Sequence, residues 1–182
     1  MNKALFLDRD GIINVDHGYV HKSEDFEFVD GIFDLCRLAI SKGYKIFVIT
    51  NQAGIARGYF DVATFEKLSQ WMVKAFAEQD VIIEKVYFCP HHPSSGVNEF
   101  VMPCQCRKPA PGMIKQAQQE FSIDLKSSIL IGDKLSDIKA AENAGINSKI
   151  LVDSRYSNKE SIDDIAGSHK ITQLSQAHEF IV

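Results

Sequence analysis

Apolar positions along this chain follow two spacings, and the switching between them predicts the architecture. Short runs rich in Ile, Val, Leu and Phe cover residues 4–7, 45–50, 85–89, 128–132 and 149–152. Runs of that length and composition predict β-strands. Between them the spacing becomes helical. Ile32, Leu35, Cys36 and Ala39 mark a first helix, stopped by Gly43. Phe65, Leu68, Met72 and Phe76 mark a second. Met113, Ile114, Ala117 and Phe121 mark a third, opened by Pro111 near its first turn. Ile138, Ala141 and Ala144 mark a fourth, stopped by Gly145, and Leu174, Ala177, His178 and Ile181 predict a short last helix. Strands alternating with helices predict an α/β fold with right-handed crossovers, a three-layer αβα, doubly wound, Rossmann-like sheet. The chain carries no repeat, low-complexity segment or linker, so a single domain over residues 1–182 is expected. One long irregular stretch, 90–110, is rich in Cys, His and Pro. A loop of that length predicts function or a staple.

Composition narrows the class. Hydrophobic residues make up 45% and charged residues 24%, a globular profile. Net charge is −4 with a pI near 5.8, which argues against a nucleic-acid partner. No signal-peptide pattern and no membrane-length apolar run is present, so the expected location is cytoplasmic. In a reducing compartment four cysteines read as metal ligands or core rather than disulfides. No long apolar stripe is left over, and a monomer acting on a small molecule is expected.

Four predicted strand tips carry polar chemistry. Asp8 and Asp10 follow buried-looking Leu5 and Leu7, spaced i, i+2 so that both carboxylates can share one face, with Gly11 next. Two crowded acids call for a cation or a proton between them. Thr50 ends the second strand, ahead of Asn51-Gln52-Ala53-Gly54. Arg107 and Lys108 precede Pro109, and Asp133 follows the fourth strand with Asp137 one turn later. Each alone is commonplace: Asp133 would serve as a helix cap and Lys108 as a surface charge. Their joint placement at strand tips is what points to a site. Within 89–106, Cys89-x-His91 and Cys104-x-Cys106 offer three thiols and an imidazole, a closed set suited to structural zinc. The one-residue spacers are tighter than usual, and His92 competes with His91 as ligand. Cys36 and Trp71 read as packing residues, and residues 154–182 carry no usable motif.

Taken together, Leu7-Asp8-Arg9-Asp10-Gly11, Gly18-Tyr19-Val20, Thr50-Asn51-Gln52-Ala53-Gly54-Ile55-Ala56-Arg57-Gly58, Cys89-Pro90-His91-His92-Pro93 and Cys106-Arg107-Lys108-Pro109 resemble the haloacid dehalogenase (HAD) superfamily of phosphohydrolases. The resemblance spans residues 3–153 and is strongest to its sugar-bisphosphate phosphatases. Ile12, where Thr or Val is usual, is the one departure and keeps the β-branched shape. The resemblance implies a nucleophile at Asp8 and a general acid, then base, at Asp10, which would need a proton at neutral pH. It implies Mg²⁺ held by Asp8, the Asp10 carbonyl and Asp133, and a phosphoryl gripped by Thr50 and Lys108. Zinc would sit on Cys89, His91, Cys104 and Cys106, with His91 preferred over His92.

The chain has no room for a large cap domain, so specificity is expected from loops. The substrate residues implied are Asp16, His17, Gly18, Tyr19, Asn51, Gln52, Ala53, Arg107 and Lys134, with Arg107 suited to a second phosphate. Arg57 is a weaker candidate, and Asp137 reads as a neighbouring acid or surface charge. The expected substrate is a sugar bisphosphate. Histidinol phosphate, 3′-phosphorylated DNA ends and a silent zinc-stabilised binding module are the rival readings.

Overall fold

The computed structural model describes residues 1–157 and 161–182. Among them six strands form one parallel sheet: β1 Lys3–Leu7, β2 Tyr44–Asn51, β3 Ile83–Cys89, β4 Ile129–Gly132, β5 Ser148–Val152 and β6 Ser168–Ile171, in the order β3-β2-β1-β4-β5-β6. Five α-helices accompany them: α1 Ile32–Ser41, α2 Ala53–Ala56, α3 Val62–Ala77, α4 Gly112–Phe121 and α5 Leu135–Ala144.

Alternation along the strands decides which helix packs where. Leu5, Leu7, Ile46 and Val48 share a core with Ile32, Leu35 and Ala39 of α1 and Leu68, Met72 and Phe76 of α3. Their neighbours Ala4, Phe6, Phe47 and Ile49 share another with Met113, Ile114 and Ala117 of α4 and Ala140, Ala141 and Ala144 of α5. Both faces of the sheet are thus covered, as parallel sheets require. That leaves the strand tips as the place for ligands. The order reverses at β1, which pairs with β2 on one side and β4 on the other. The crevice at that switch point is where open α/β sheets bind.

The three-layer fold matches the sequence expectation, with three differences. The edge strand β6 is an addition: of Ser168-His169-Lys170-Ile171 only Ile171 is buried, so there is no apolar run to read. The short α2 spans one turn and has no periodicity. Finally, Leu174–Phe180 is a 3₁₀ segment, not an α-helix.

Two excursions rise beside the switch point. Residues 15–28 are pinched at their base, where Asn14 bridges Phe28 antiparallel and Val15 N donates to the Glu27 carbonyl at 2.8 Å. Trp71 packs there, 5.4 Å from Phe26 and 5.8 Å from Phe28 between ring centres. The 89–106 loop caps α2: Val97 N donates to the Ala56 carbonyl at 2.9 Å and Asn98 Nδ2 to the Ile55 carbonyl at 2.7 Å. The Ala56 carbonyl ends a helix too short to satisfy it itself, while the Ile55 carbonyl also accepts from Gly58 N at 3.0 Å. No described helix is long and apolar enough to cross a membrane.

Candidate active site

β1 ends at Leu7, and the next residue still holds the sheet: Asp8 N donates to the Ile131 carbonyl at 3.0 Å. The chain then turns, with the Arg9 carbonyl accepting from Ile12, Ile13 and Asn14. Asp133 and Asp137 arrive from the tip of β4 and the first turn of α5. Ligand oxygens of Asp8, Asp133 and Asp137 lie within 4.8 Å of one another, and all three residues are buried. Gly11 and Gly132 make this approach possible. A Cβ on Gly11, which adopts φ +94°, would overlap the Asp133 carboxylate, and one on Gly132 would overlap Asp137.

Lys108 is the counter-charge. Its buried ammonium donates to Asp8 Oδ1 at 2.9 Å and to the Ile49 carbonyl at 2.9 Å, and lies 2.6 Å from Asp137 Oδ1. Asn51 fixes the Lys108 backbone from both sides, accepting from its N at 3.0 Å and donating to its carbonyl at 3.1 Å. Burial would lower the Lys108 ammonium, but Asp137 and Asp8 outweigh it and raise it. One ammonium does not balance three acids. Burial pushes Asp8 up to about 6, with Asp137 adding to it against Lys108, and burial followed by the Asp8 charge pushes Asp133 up to about 7. Neither Asp133 oxygen has a hydrogen-bond partner among the described residues, and Lys134 Nζ stands 4.0 Å away. Buried, unpaired carboxylate oxygens are hard donors of the kind Mg²⁺ takes, so the residues present fit a divalent cation.

Asp10 has a different environment from Asp8. It accepts from Arg9 Nη2 at 2.6 Å, Asn14 Nδ2 at 3.0 Å and Gln52 Nε2 at 3.0 Å. Burial would raise it, but Arg9 and these donors prevail and hold its carboxyl below the usual range. The expected crowding of Asp10 by other acids is therefore corrected. Crowding acts on Asp8 and Asp133, because the turn after Asp8 delivers Asp10 to a guanidinium.

Asp8, Asp10, Asn51, Lys108, Lys134, Ser136 and Asp137 line an inner recess of about 30 Å³. Several of these residues also line an outer cleft of about 360 Å³, joined there by Asp16, Gly18, Tyr19, Gln52, Ala53 and Arg107, and by Tyr156. Lys134 Nζ stands 3.7 Å from Asp16 Oδ2, and burial is overcome by Asp8, Asp133 and Asp16, which raise it. One expected substrate residue lies elsewhere. His17 turns outward to Glu27 Oε2 at 3.0 Å and lines a separate surface depression. Thr50 is buried behind Gln52, whose Nε2 donates to its Oγ1 at 2.8 Å, and it lines neither space. Arg57 is likewise outside the cleft. Sequence reasoning set Asp137 aside and missed Ser136 and Tyr156. Their positions just past the tips of β4 and β5 were the available signal.

The loop cysteines form a second cluster. Cys89 Sγ lies 3.6 Å from His91 Nδ1 and 3.6 Å from Cys104 Sγ, and Cys106 Sγ lies 3.4 Å from His91 Nδ1 and 3.5 Å from Cys104 Sγ. Those sulfurs are too far apart for disulfides. Bonds of about 2.3 Å to sulfur and about 2.0 Å to nitrogen span a tetrahedron with edges of roughly 3.4–3.8 Å, so the spacing fits zinc. His92 is committed elsewhere, its Nδ1 accepting from Ser94 N and Ser95 N.

The family model of HAD-like hydrolases matches residues 105–177. A D-glycero-β-D-manno-heptose-1,7-bisphosphate 7-phosphatase of Yersinia pestis is 50% identical over 149 residues, covering 82% of this chain and 79% of that protein. The chain belongs to the heptose-bisphosphate phosphatase family of HAD-like hydrolases. A Campylobacter jejuni relative named for the α anomer is 53% identical over 150 residues, covering 82% of each chain. A solved D,D-heptose 1,7-bisphosphate phosphatase from B. bronchiseptica, complexed with magnesium and phosphate, superposes with a TM-score of 0.82 at 29% identity, covering 98% of this chain and 97% of that one.

The electrostatics of the recess make a prediction. Asp8 and Asp133 are raised above 3.8, to about 6 and about 7, so the folded metal-free protein holds protons that the unfolded chain releases. Their stabilisation is present at low pH and lost as pH rises through those values. Asp10, lowered by Arg9, acts with the opposite sign only below its ordinary value. A cation that replaces those protons stabilises most where they are gone. Added Mg²⁺ is expected to raise Tm more at about pH 8 than at about pH 5 in a thermal-shift assay. An equal or smaller rise at the higher pH would contradict this.

Proposed function

We propose that this chain is a Mg²⁺-dependent phosphomonoesterase that removes the C7 phosphate of D-glycero-D-manno-heptose 1,7-bisphosphate through an aspartyl-phosphate on Asp8. The observation that carries the chemistry is the state of Asp8. Both bonds it accepts, from Arg9 N at 2.8 Å and Lys108 Nζ at 2.9 Å, fall on Oδ1. Oδ2 carries neither and is the oxygen proposed to attack phosphorus. The P–O bond to the C7 alkoxide then breaks, and Asp10 supplies the proton that alkoxide needs. In the second step the Asp10 carboxylate takes a proton from water, the water oxygen attacks phosphorus, and Asp8 is released with inorganic phosphate.

Arg9 suits Asp10 to both steps. It stabilises the carboxylate left after the first proton transfer. Phosphate arriving beside Asp10 adds negative charge, which favours the protonated form the first step requires. Lys108, held by Asp137, offsets charge on the equatorial oxygens of the transferring group. Thr50 acts through Gln52, whose amide it shares with Asp10. Asp8, Asp133 and the Asp10 carbonyl would hold Mg²⁺, which supplies positive charge against the phosphoryl oxygens when bound. Cys89, His91, Cys104 and Cys106 would hold a structural zinc that orders the loop leading into Arg107 and Lys108.

Arg107 and Lys134 in the outer cleft favour a bisphosphate over histidinol phosphate, which brings one phosphate only. The relatives are named for both anomers, β in Yersinia pestis and α in Campylobacter jejuni. We also propose a cytoplasmic monomer without a nucleic-acid partner, the last in keeping with the net charge of −4.

Steady-state kinetics tests the assignment. kcat/KM for the heptose bisphosphate is expected to exceed that for histidinol phosphate by about a hundredfold or more. Comparable values would overturn the substrate. Asp8→Asn is expected to abolish turnover, and Asp10→Asn to lower kcat by about 10²–10⁴-fold with little change in KM. A fully active Asp8→Asn protein would remove the nucleophile from the account. For the second metal, Cys104→Ser is expected to lose zinc by elemental analysis and to melt at lower temperature. Unchanged metal content would refute the ligand set.

A further inference from the structure

Residues 153–157, just after β5, form a tight turn at the rim of the outer cleft. Ser154 Oγ donates to the Asp133 carbonyl at 3.0 Å. Ser154 N donates to Ser157 Oγ at 2.8 Å, and the fully buried Ser157 donates to Asp153 Oδ1 at 2.9 Å. The turn is therefore fastened to the backbone unit that carries one acid of the recess. From it Arg155 reaches across to the 15–28 loop. Its Nη2 donates to the Asp16 carbonyl at 3.1 Å and to the Tyr156 hydroxyl at 2.7 Å, and stands 3.9 Å from Asp16 Oδ1. Tyr156 lines the cleft with Asp16, Arg107, Lys108 and Lys134. Its ring centre is 4.5 Å from Lys134 Nζ and 4.8 Å from Arg155 Cζ, yet the residue stays 39% exposed.

An aromatic face carries negative potential, which is why two cations gather on this one. The same potential makes it a poor seat for phosphate. Anionic groups in the cleft go to Lys108, Lys134 and Arg107. What remains for the exposed part of the ring is uncharged, carbon-bearing surface.

We propose that Tyr156 is a specificity-determining residue that packs against the sugar between the two phosphates, and that Arg155 is a positioning residue that ties it to the 15–28 loop through Asp16. The inference rests on the sugar-bisphosphate reading above and adds a wall to that site.

The test is a selectivity ratio, kcat/KM for heptose bisphosphate over kcat/KM for acetyl phosphate, which has no sugar. Tyr156→Ala is expected to lower the ratio by about tenfold or more, while Tyr156→Phe, which keeps the ring, stays within about threefold of wild type. Arg155→Ala is expected to lower it mainly by raising KM for the bisphosphate. Tyr156→Leu carries the test should the alanine protein fail to fold, with the Mg²⁺ thermal shift as the check on the recess. Wild-type activity on the heptose bisphosphate with an unchanged ratio in Tyr156→Ala or Tyr156→Leu would overturn this inference alone. Equal losses in Tyr156→Phe and Tyr156→Ala would also overturn it, since the hydroxyl and not the ring would be at work. A wild-type protein inactive on the heptose bisphosphate would sink the substrate reading and this inference together.

Discussion

The buried ammonium of Lys108 is the constraint on which the site depends. It lies between Asp8 and Asp137 at 2.9 and 2.6 Å with under a tenth of its side chain exposed. Removing such a charge would leave two buried carboxylates without the counter-charge between them, a cost of ~3–5 kcal/mol for breaking a buried pair. The fold accordingly invests in placing it. Asn51 clamps its backbone, the Ile49 carbonyl takes a third proton, and two glycines open space for the acids it faces. Even so both Asp133 oxygens stay without a hydrogen-bond partner among the described residues, an imbalance that a divalent cation would offset.

Asp8 and Asp10, two residues apart, are driven in opposite directions. Burial raises the first, and a guanidinium lowers the second. In the proposed mechanism a bound cation would restore the Asp8 carboxylate that meets phosphorus, and an arriving phosphate would favour the protonated form of Asp10. Arg9 does more than hold Asp10. The same Nη2 donates to the Val20 carbonyl at 2.7 Å, so the guanidinium joins Asp10 to the 15–28 loop. Its Cζ lies 5.9 Å from the ring centres of both Phe26 and Phe65.

Much of this was legible in the sequence because its signals were local. Apolar alternation marked β1 to β5, and the acids at strand tips stood out as exceptions to it. Cys89, His91, Cys104 and Cys106 announced themselves by residue type. What could not be read was set by long-range geometry. That Asp10 would meet Arg9 and Gln52 depended on the turn after Asp8, where the strand periodicity no longer applies. That His17 would turn outward depended on Glu27, ten residues away on a loop without periodicity. The strand β6 was hidden because an edge strand needs only one apolar residue to hold it. Tyr156 was hidden because nothing near it in sequence hints at Asp16, its neighbour through Arg155 across 139 positions.

A sheet with both faces covered and no large cap has to build its binding walls from the segments beyond its strand tips. Three tips do so here, each by a different physical means. After β1, the 15–28 loop is closed by a backbone bridge and an aromatic foot. After β3, the side chains of Cys89, His91, Cys104 and Cys106 cluster at 3.4–3.6 Å spacings, in the arrangement a structural zinc would take. After β5, serine hydroxyls replace both, binding the turn to the Asp133 carbonyl. The first and third walls meet through Arg155 and Asp16, while the second delivers Arg107 and Lys108. Asp8 and Asp133 stand at the tips of β1 and β4, while Lys108 leaves the second wall and is caught by Asn51 at the end of β2. In the proposed mechanism the reacting acids sit at the sheet, and the choice of substrate falls to the loops.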